Sequence, residues 1–399
     1  MKMLFISGWF PYPADNGARI RIYNLIKALS NKHEVYLISL LQEDSNRHDV
    51  THLKDICRVI SLHELRQSKP KTAQSVSGFL STRPRSFVER FDINILQSVQ
   101  EAIEAISPDV IVASALDVVE YVPHNRDIPT VLDEHNCEYA VLNRHARRSN
   151  GLLRKMRYEL GWRKFARWEA DMCRQFDSVI MVSEEDKRQL LAVAPNLTRI
   201  SIVPNGVDTE YFSPVSHISN CSTLIYNGAL TYGANLDAVR YYSSEIYPVL
   251  KHRKPDTMLR VTGQTKGVDL SGIKDCPGIE LTNYVKDIRD YLYNSAICIV
   301  PLREGGGSRL KILEAMAAGV PVVSTAVGAE GINAIDGTHL LLADTPNSFA
   351  CAIERLMANP DLRQTLSQNA RHLVEQRYSW SNIGMAFVDI VEATASVKQ

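Results

Sequence analysis

The feature that most limits how this chain can fold is an alternation of short, uninterrupted apolar runs with stretches of helical periodicity. Met3–Ser7 is one such run, and after a glycine-containing loop Ile22, Leu25, Ile26 and Leu29 recur at i, i+3, i+4, i+7 spacing. Val35–Leu41, Val110–Ala113, Thr130–Leu132, Val179–Val182 and Ile200–Val203 continue the series. A strand that is apolar on successive residues is covered on both faces, and strands alternating with helices wind into a parallel sheet. The series then restarts with Thr223–Tyr226, Met258–Thr262, Ile279–Leu281, Ile297–Pro301, Val320–Ser324 and Leu340–Leu342. The pattern therefore predicts an α/β chain of two doubly wound, Rossmann-like domains, which also suits a length of 399 residues.

The turn cluster Pro204-Asn205-Gly206-Val207-Asp208 and the polar stretch from Pro214 to Ser222 mark the joint. The expected division is a first domain over 1–203, a second over 204–380, and a terminal helix over 381–399 that packs back on the first. Residues 42–100 carry the weakest pattern.

Composition narrows the function classes. Lys and Arg number 45, as do Asp and Glu, so no charge excess favours a nucleic-acid partner. No run of about 18 apolar residues spans a bilayer. Met1–Ile6 is too short for a secretory leader and reads as a buried first strand. The seven cysteines are scattered without a C-x-x-C pair, which fits reduced thiols in the cytoplasm better than disulfides or zinc.

Ligands of such sheets bind beyond the carboxyl ends of the strands. The strongest local signal there is Pro301-Leu302-Arg303-Glu304-Gly305-Gly306-Gly307-Ser308-Arg309-Leu310-Lys311-Ile312-Leu313-Glu314. A strand ends, three glycines follow, and a helix is expected from near Ser308. Glycines let backbone amides approach an anion, and a helix N-terminus favours phosphate. Arg309 and Lys311 add positive charge at the same place. Glu314, about one turn into the helix, is suited to accept hydrogen bonds from ribose hydroxyls. The plainer reading is a glycine turn before a core helix with exposed cations. The full strand–loop–helix–strand context favours a phosphate site.

This stretch resembles glycosyltransferase family 4 (group 1), whose members have the GT-B fold of two facing Rossmann-like domains with a cleft between them. Other segments are similar to that family in order: Pro11–Arg19, Val203–Phe212, Tyr226–Leu230 with Asn235–Ala238, Tyr284-Val285 before Asp287-Ile288, and Tyr378-Ser379-Trp380. The resemblance implies a metal-independent, retaining hexosyl transfer from a nucleoside diphosphate sugar, a co-substrate rather than a cofactor, to a glycan or lipid-linked acceptor in polysaccharide or glycoconjugate synthesis. It implies donor contacts from Gly17, Asn205, Gly228, Val285, Gly305, Gly306, Gly307, Ser308 and Glu314. Asn205 reads equally as a hinge. The family's usual pair of glutamates is incomplete, because Gly306 stands where the first would fall. The loop resembles instead a Gly-Gly-Gly-x-Arg-Leu-Lys variant in which glycine amides, Arg309 and Lys311 carry the diphosphate and sugar.

His135 follows the strand Thr130–Leu132. A histidine there is either a satisfied structural residue or a ligand group. The resemblance implies a hydrogen bond to the donor sugar, or to peptide backbone near the reacting carbon. Asp133 and Glu134 are neighbouring acids, and Asp133 is also placed to cap the next helix. Of Arg19 and Arg21, one is expected to face the ligand and the other to be a solvated charge.

From Arg144 to Arg174 basic residues outnumber acidic ones roughly three to one, with Trp162, Phe165 and Trp168 interleaved. Such a segment is either a solvated helix with core aromatics or a peripheral contact with an anionic membrane at its inner face. Rival functions on this fold are a nucleotide-sugar epimerase, a dinucleotide oxidoreductase and a non-catalytic sugar-nucleotide binding subunit. Gly8 to Gly17 lacks the G-x-G-x-x-G spacing the oxidoreductase needs. No HExxH or Asp-x-Asp metal cluster is present in the sequence.

Overall fold

A computed structural model describes residues 1–41, 47–65, 81–123, 127–148, 151–215, 222–305 and 309–397. The chain divides into two units, Met1–Pro204 with Ile383–Gln399, and Asn205–Asn382.

The first unit is built on a parallel seven-stranded sheet. Its strands are β1 (Lys2–Ser7), β2 (Glu34–Leu41), β3 (Arg58–Glu64), β4 (Val110–Ser114), β5 (Thr130–Asp133), β6 (Ser178–Met181) and β7 (Ile200–Ile202). Their order is β3-β2-β1-β4-β5-β6-β7. Every residue of β4, β5 and β6 is buried, as are five of the six in β1. That burial is what the uninterrupted apolar runs require, and each fully buried Val, Ile or Leu stabilises by roughly 1.5–3 kcal/mol. Strand β3 was not expected. Its sequence, Arg-Val-Ile-Ser-Leu-His-Glu, is half-exposed along an edge, so it carries polar residues and escapes a search for apolar runs.

Beyond Ile383 the last helix, Trp380–Ser396, belongs to this unit. Gly384 lies so close to Ala28 that a Cβ would stand 2.6 Å from the alanine methyl, and His33 Nε2 meets Glu392 at 2.8 Å.

The second unit repeats the design with six parallel strands: β8 (Thr223–Asn227), β9 (Met258–Thr262), β10 (Ile279–Asn283), β11 (Ile297–Val300), β12 (Val322–Ser324) and β13 (Leu341–Leu342). The order is β10-β9-β8-β11-β12-β13. In each sheet the strand order reverses once, between β1 and β4 and between β8 and β11. Those reversals open a crevice at the carboxyl ends of the two strands, the place where doubly wound sheets take their ligands.

Candidate functional site

The crevice of the second unit gathers residues from three segments. Strand β8 ends in Tyr226-Asn227 and turns at Gly228; β11 leads into Gly305; and the helix Leu310–Ala317 carries Lys311 and Glu314. That helix starts two residues later than the sequence suggests, with Arg309 at its N-terminal boundary. Gly306, Gly307 and Ser308 lie outside the described residues. Gly305 takes φ 126°, a conformation side chains resist, and its place is crowded: a Cβ would stand 2.9 Å from the Arg309 guanidinium. Arg309 is itself buried.

Lys311 donates to Tyr226 Oη at 2.9 Å and to Asn235 Oδ1 at 2.8 Å. These partners are neutral, so nothing at that distance balances the ammonium. Burial brings Lys311 down to about 7, and the charge of Arg309 acts in the same direction. Glu314 Oε2 accepts from Asn227 Nδ2 at 2.7 Å, while Asn227 Oδ1 is buried without a hydrogen-bond partner among the described residues. Burial raises Glu314 to about 7, against the opposing pull of Lys311 and Asn227. Gly228 leaves the space that Lys311 fills, since a Cβ there would lie 2.8 Å from both Lys311 Nζ and Asn235 Nδ2. A basic group and an acid, both titrating near neutrality beside a glycine turn, suit a ligand that is anionic at one end and carries hydroxyls at the other.

Val285 is half-buried between β10 and the short helix Arg289–Tyr293, and the neighbouring Tyr284 is exposed. The Arg289 guanidinium lies 3.8 Å from the Tyr211 ring centroid and pairs with Asp287 at 2.6 Å. Asn205 is buried at the start of this unit.

The first unit has its own network at the end of β5. Arg21 donates from Nε and Nη2 to Asp133 Oδ1 at 3.0 and 2.5 Å, and both side chains are buried. His135 Nε2 lies 2.9 Å from Ser114 Oγ and 3.3 Å from Asp133 Oδ2. Burial alone lifts an aspartate, but here Arg21 and His135 outweigh it and hold Asp133 below the ordinary carboxylate range. Asp133 is thus an ion-pair partner and not a helix cap. Arg19 and Arg21 are both buried, so neither is the solvated charge expected: Arg19 pairs with Asp15 at 3.1 Å, Arg21 with Asp133. Gly17 is exposed at the first position of the helix Gly17–Ser30, beside the capping Asn16.

One support of His135 was invisible in the sequence. The backbone amides of Glu138 and Tyr139 donate to the Glu169 carboxylate at 2.8 and 2.7 Å, and that of Cys137 to Asp186 at 3.1 Å. These bonds fix the start of the helix Glu138–Arg148 that follows the histidine. Glu134 is buried with Glu169, and burial and that neighbouring charge push it well above the usual range.

With two such crevices on two Rossmann-like sheets, comparison with known proteins decides the family. Residues 15–211 match the family model described as Glycosyltransferase Family 4, and residues 221–359 the one described as Glycosyl transferases group 1. The chain belongs to the group 1 glycosyltransferases.

This glycosyltransferase is 22% identical over 398 residues to an uncharacterized 44.6 kDa protein in the cps region of Klebsiella pneumoniae, covering 94% of this chain and 96% of that one. To a D-inositol 3-phosphate glycosyltransferase of Saccharomonospora viridis it is 26% identical, over 58% of this chain and 59% of the relative. Among solved structures, sucrose-phosphate synthase from Thermosynechococcus elongatus superposes with a TM-score of 0.76 at 17% identity, over 100% of both chains. HepE of Anabaena, in complex with UDP and glucose, gives 0.68 at 15% identity, over 98% of this chain and 100% of that one. At those identities the likeness is one of fold, and the fold is the GT-B class. Among the described residues no helix of the glycosyltransferase is long and apolar enough to cross a membrane.

Proposed function

We propose that this glycosyltransferase moves a hexosyl group from a nucleoside diphosphate sugar to a hydroxyl of a glycan or lipid-linked acceptor, with retention and without a metal ion. The observation that carries the reading is the Lys311–Arg309 cationic pair beside Gly228 and Gly305 at the β8/β11 reversal. Departure of the nucleoside diphosphate builds negative charge on its phosphates. Two desolvated cations and the amides of a glycine loop are the groups that stabilise such charge, and they do so most where water is excluded. Lys311 is costly to charge in the free protein, so an arriving diphosphate supplies its missing counter-ion. Glu314 takes the ribose hydroxyls, with Asn227 aligning its carboxylate.

His135 is assigned the hydrogen bond to the transferred sugar or to backbone near the reacting carbon. Its Nε2 is committed to Ser114 and Asp133, and among the described residues Nδ1 makes no hydrogen bond. Nδ1 is therefore the ring nitrogen left to meet a sugar hydroxyl. Retention, metal independence and the remaining donor contacts of Gly17, Asn205 and Val285 rest on the family resemblance. The relative from a cps region favours a place in polysaccharide synthesis, the scattered thiols favour the cytoplasm, and a place at the inner face of the membrane rests on the basic segment from Arg144 to Arg174.

A thermal-shift panel of nucleoside diphosphates and their sugars tests the reading, beginning with UDP, followed by incubation of the stabilising donor with acceptors. Stabilisation by a nucleoside diphosphate and acceptor-dependent release of it are expected. Donor consumption without acceptor would favour an epimerase, and stabilisation by dinucleotides alone would overturn the assignment.

A further inference from the structure

The β5 pairing continues one residue beyond the strand, because the Glu134 amide donates to the Ile180 carbonyl of β6 at 2.9 Å. Side chains alternate along a strand, so Glu134 leaves the sheet on the face opposite Asp133. There it meets the helix Leu152–Cys173. Glu134 is 1% exposed and lies within hydrogen-bonding reach of Glu169, which is 0% exposed. That helix is a firm support. Its Phe165 and Trp168 are buried and pack with Phe87, at 5.9 and 4.1 Å between ring centroids, so these aromatics are core.

Two carboxyl groups in reach of each other and out of water cannot both ionise without a cation to balance them. Among the described residues no cation hydrogen-bonds to either. The groups facing the pair are the Cys173 thiol, which donates to Glu134 Oε2 at 3.4 Å, and Cys137 and Glu138 at the start of the helix Glu138–Arg148. Beyond Cys137 stands Asp186 of the helix Glu184–Val193. All are acids or thiols, and burial keeps both thiols protonated. The pair therefore retains a proton.

The hydrogen bonds decide which carboxyl holds it. Glu169 uses both oxygens as acceptors, for the amides of Glu138 and Tyr139, at a helix N-terminus where negative charge is favoured. Glu134 Oε1 is buried and has no hydrogen-bond donor among the described residues. A hydroxyl at that oxygen, donating to Glu169, satisfies it.

The consequence falls on His135. Glu134 precedes it directly, and Glu138 and Tyr139 follow it by one short turn. The acid-to-carboxylate bond and the two amide bonds thus close around the turn that brings the imidazole to Ser114 and Asp133. We propose that Glu134 is a positioning residue for the transfer: it stays a carboxylic acid, donates to Glu169, and holds the turn that presents His135. The role rests on the transferase reading; the proton does not.

Two measurements test it. The infrared spectrum of the full chain at about pH 8, well above the ordinary glutamate range, is expected to contain a protonated-carboxyl C=O band that Glu134→Gln removes. Transfer kinetics read the role. Glutamine keeps the shape and supplies an N–H donor, so Glu134→Gln is expected to hold kcat within about twofold of native. Glu134→Met cannot donate and is expected to lower kcat about tenfold or more through a displaced His135, with the KM for donor little changed. In a His135→Ala background Glu134→Met should lower kcat no further, because the group it positions is gone. A spectrum unchanged by Glu134→Gln, native turnover in Glu134→Met, or a loss that persists undiminished without His135 would overturn the proposal. Should Glu134→Met fail to fold by circular dichroism, Glu134→Gln decides: a lost band with native turnover supports the proposal, and any other result overturns it. Native protein that transfers from no donor sinks the transferase reading and the role with it, whereas a missing band in an active protein sinks the proposal alone.

Discussion

Raising the pH should weaken donor binding through one residue, Lys311. In the free protein burial holds its ammonium near 7, and a bound diphosphate returns the value toward the ordinary lysine range by supplying the counter-charge. Binding then takes up a proton wherever free Lys311 is neutral and bound Lys311 is charged. Below about pH 7 both forms are charged and this residue adds no pH dependence. Above about pH 7 each further unit costs about tenfold, so UDP affinity should fall roughly fifteenfold from about pH 7.0 to about pH 8.5. Calorimetric titration in two buffers of different ionisation enthalpy reads the same proton uptake directly, close to one per UDP at the alkaline end. Lys311→Arg removes the effect, because a guanidinium stays charged throughout this range. A flat affinity profile in the native protein, or a slope that survives in Lys311→Arg, would refute the argument. Glu314, lifted to about 7, gives the opposite limb: as pH falls below about 7 the carboxylate is protonated and its bonds to ribose weaken.

Four further outcomes are expected. Gly228→Ala places a methyl 2.8 Å from Lys311 Nζ and should lower UDP affinity about tenfold by displacing the charge-assisted contact, measured by calorimetry. Glu314→Gln should raise the KM for donor about tenfold while leaving the fold intact by circular dichroism. His135→Ala should cut turnover roughly 100-fold or more with UDP affinity little changed, read by donor titration beside a transfer assay. Arg21→Leu removes the guanidinium from the buried Asp133 carboxylate, which keeps only Ser114 and His135, and should cost about 3–5 kcal/mol in denaturant unfolding. Asp133 is held below its ordinary value, so its stabilisation is present above the unfolded aspartate range and lost as pH falls through the folded value. The gap between native protein and Arg21→Leu should accordingly narrow in acid.

How much was legible in the sequence follows from the distance over which each feature is encoded. Both sheets were readable because a buried parallel strand needs consecutive apolar residues, as in Val110–Ala113 and Ile297–Val300. Edge strand β3 was not, since half-exposure removes that signature. The cations of the second crevice lie within one helix start, so Arg309, Lys311 and Glu314 were found together. Their partners Tyr226, Asn227 and Asn235 come from a strand and helix more than seventy residues earlier, and only folding brings them into contact. The same holds for Arg21 and Asp133, 112 residues apart. Of Arg19 and Arg21 one reads as surface charge until the buried partners of both are known. Glu169 looks like one more helical acid; its place under the amides of Glu138 and Tyr139 depends on how two helices pack.

A crystal structure of the protein with UDP would show where the donor's diphosphate sits. Phosphate oxygens are expected within hydrogen-bond distance of Lys311 and Arg309 beside Gly228, with a ribose hydroxyl on Glu314. A diphosphate held elsewhere, with Lys311 still bonded only to Tyr226 and Asn235, would contradict that placement.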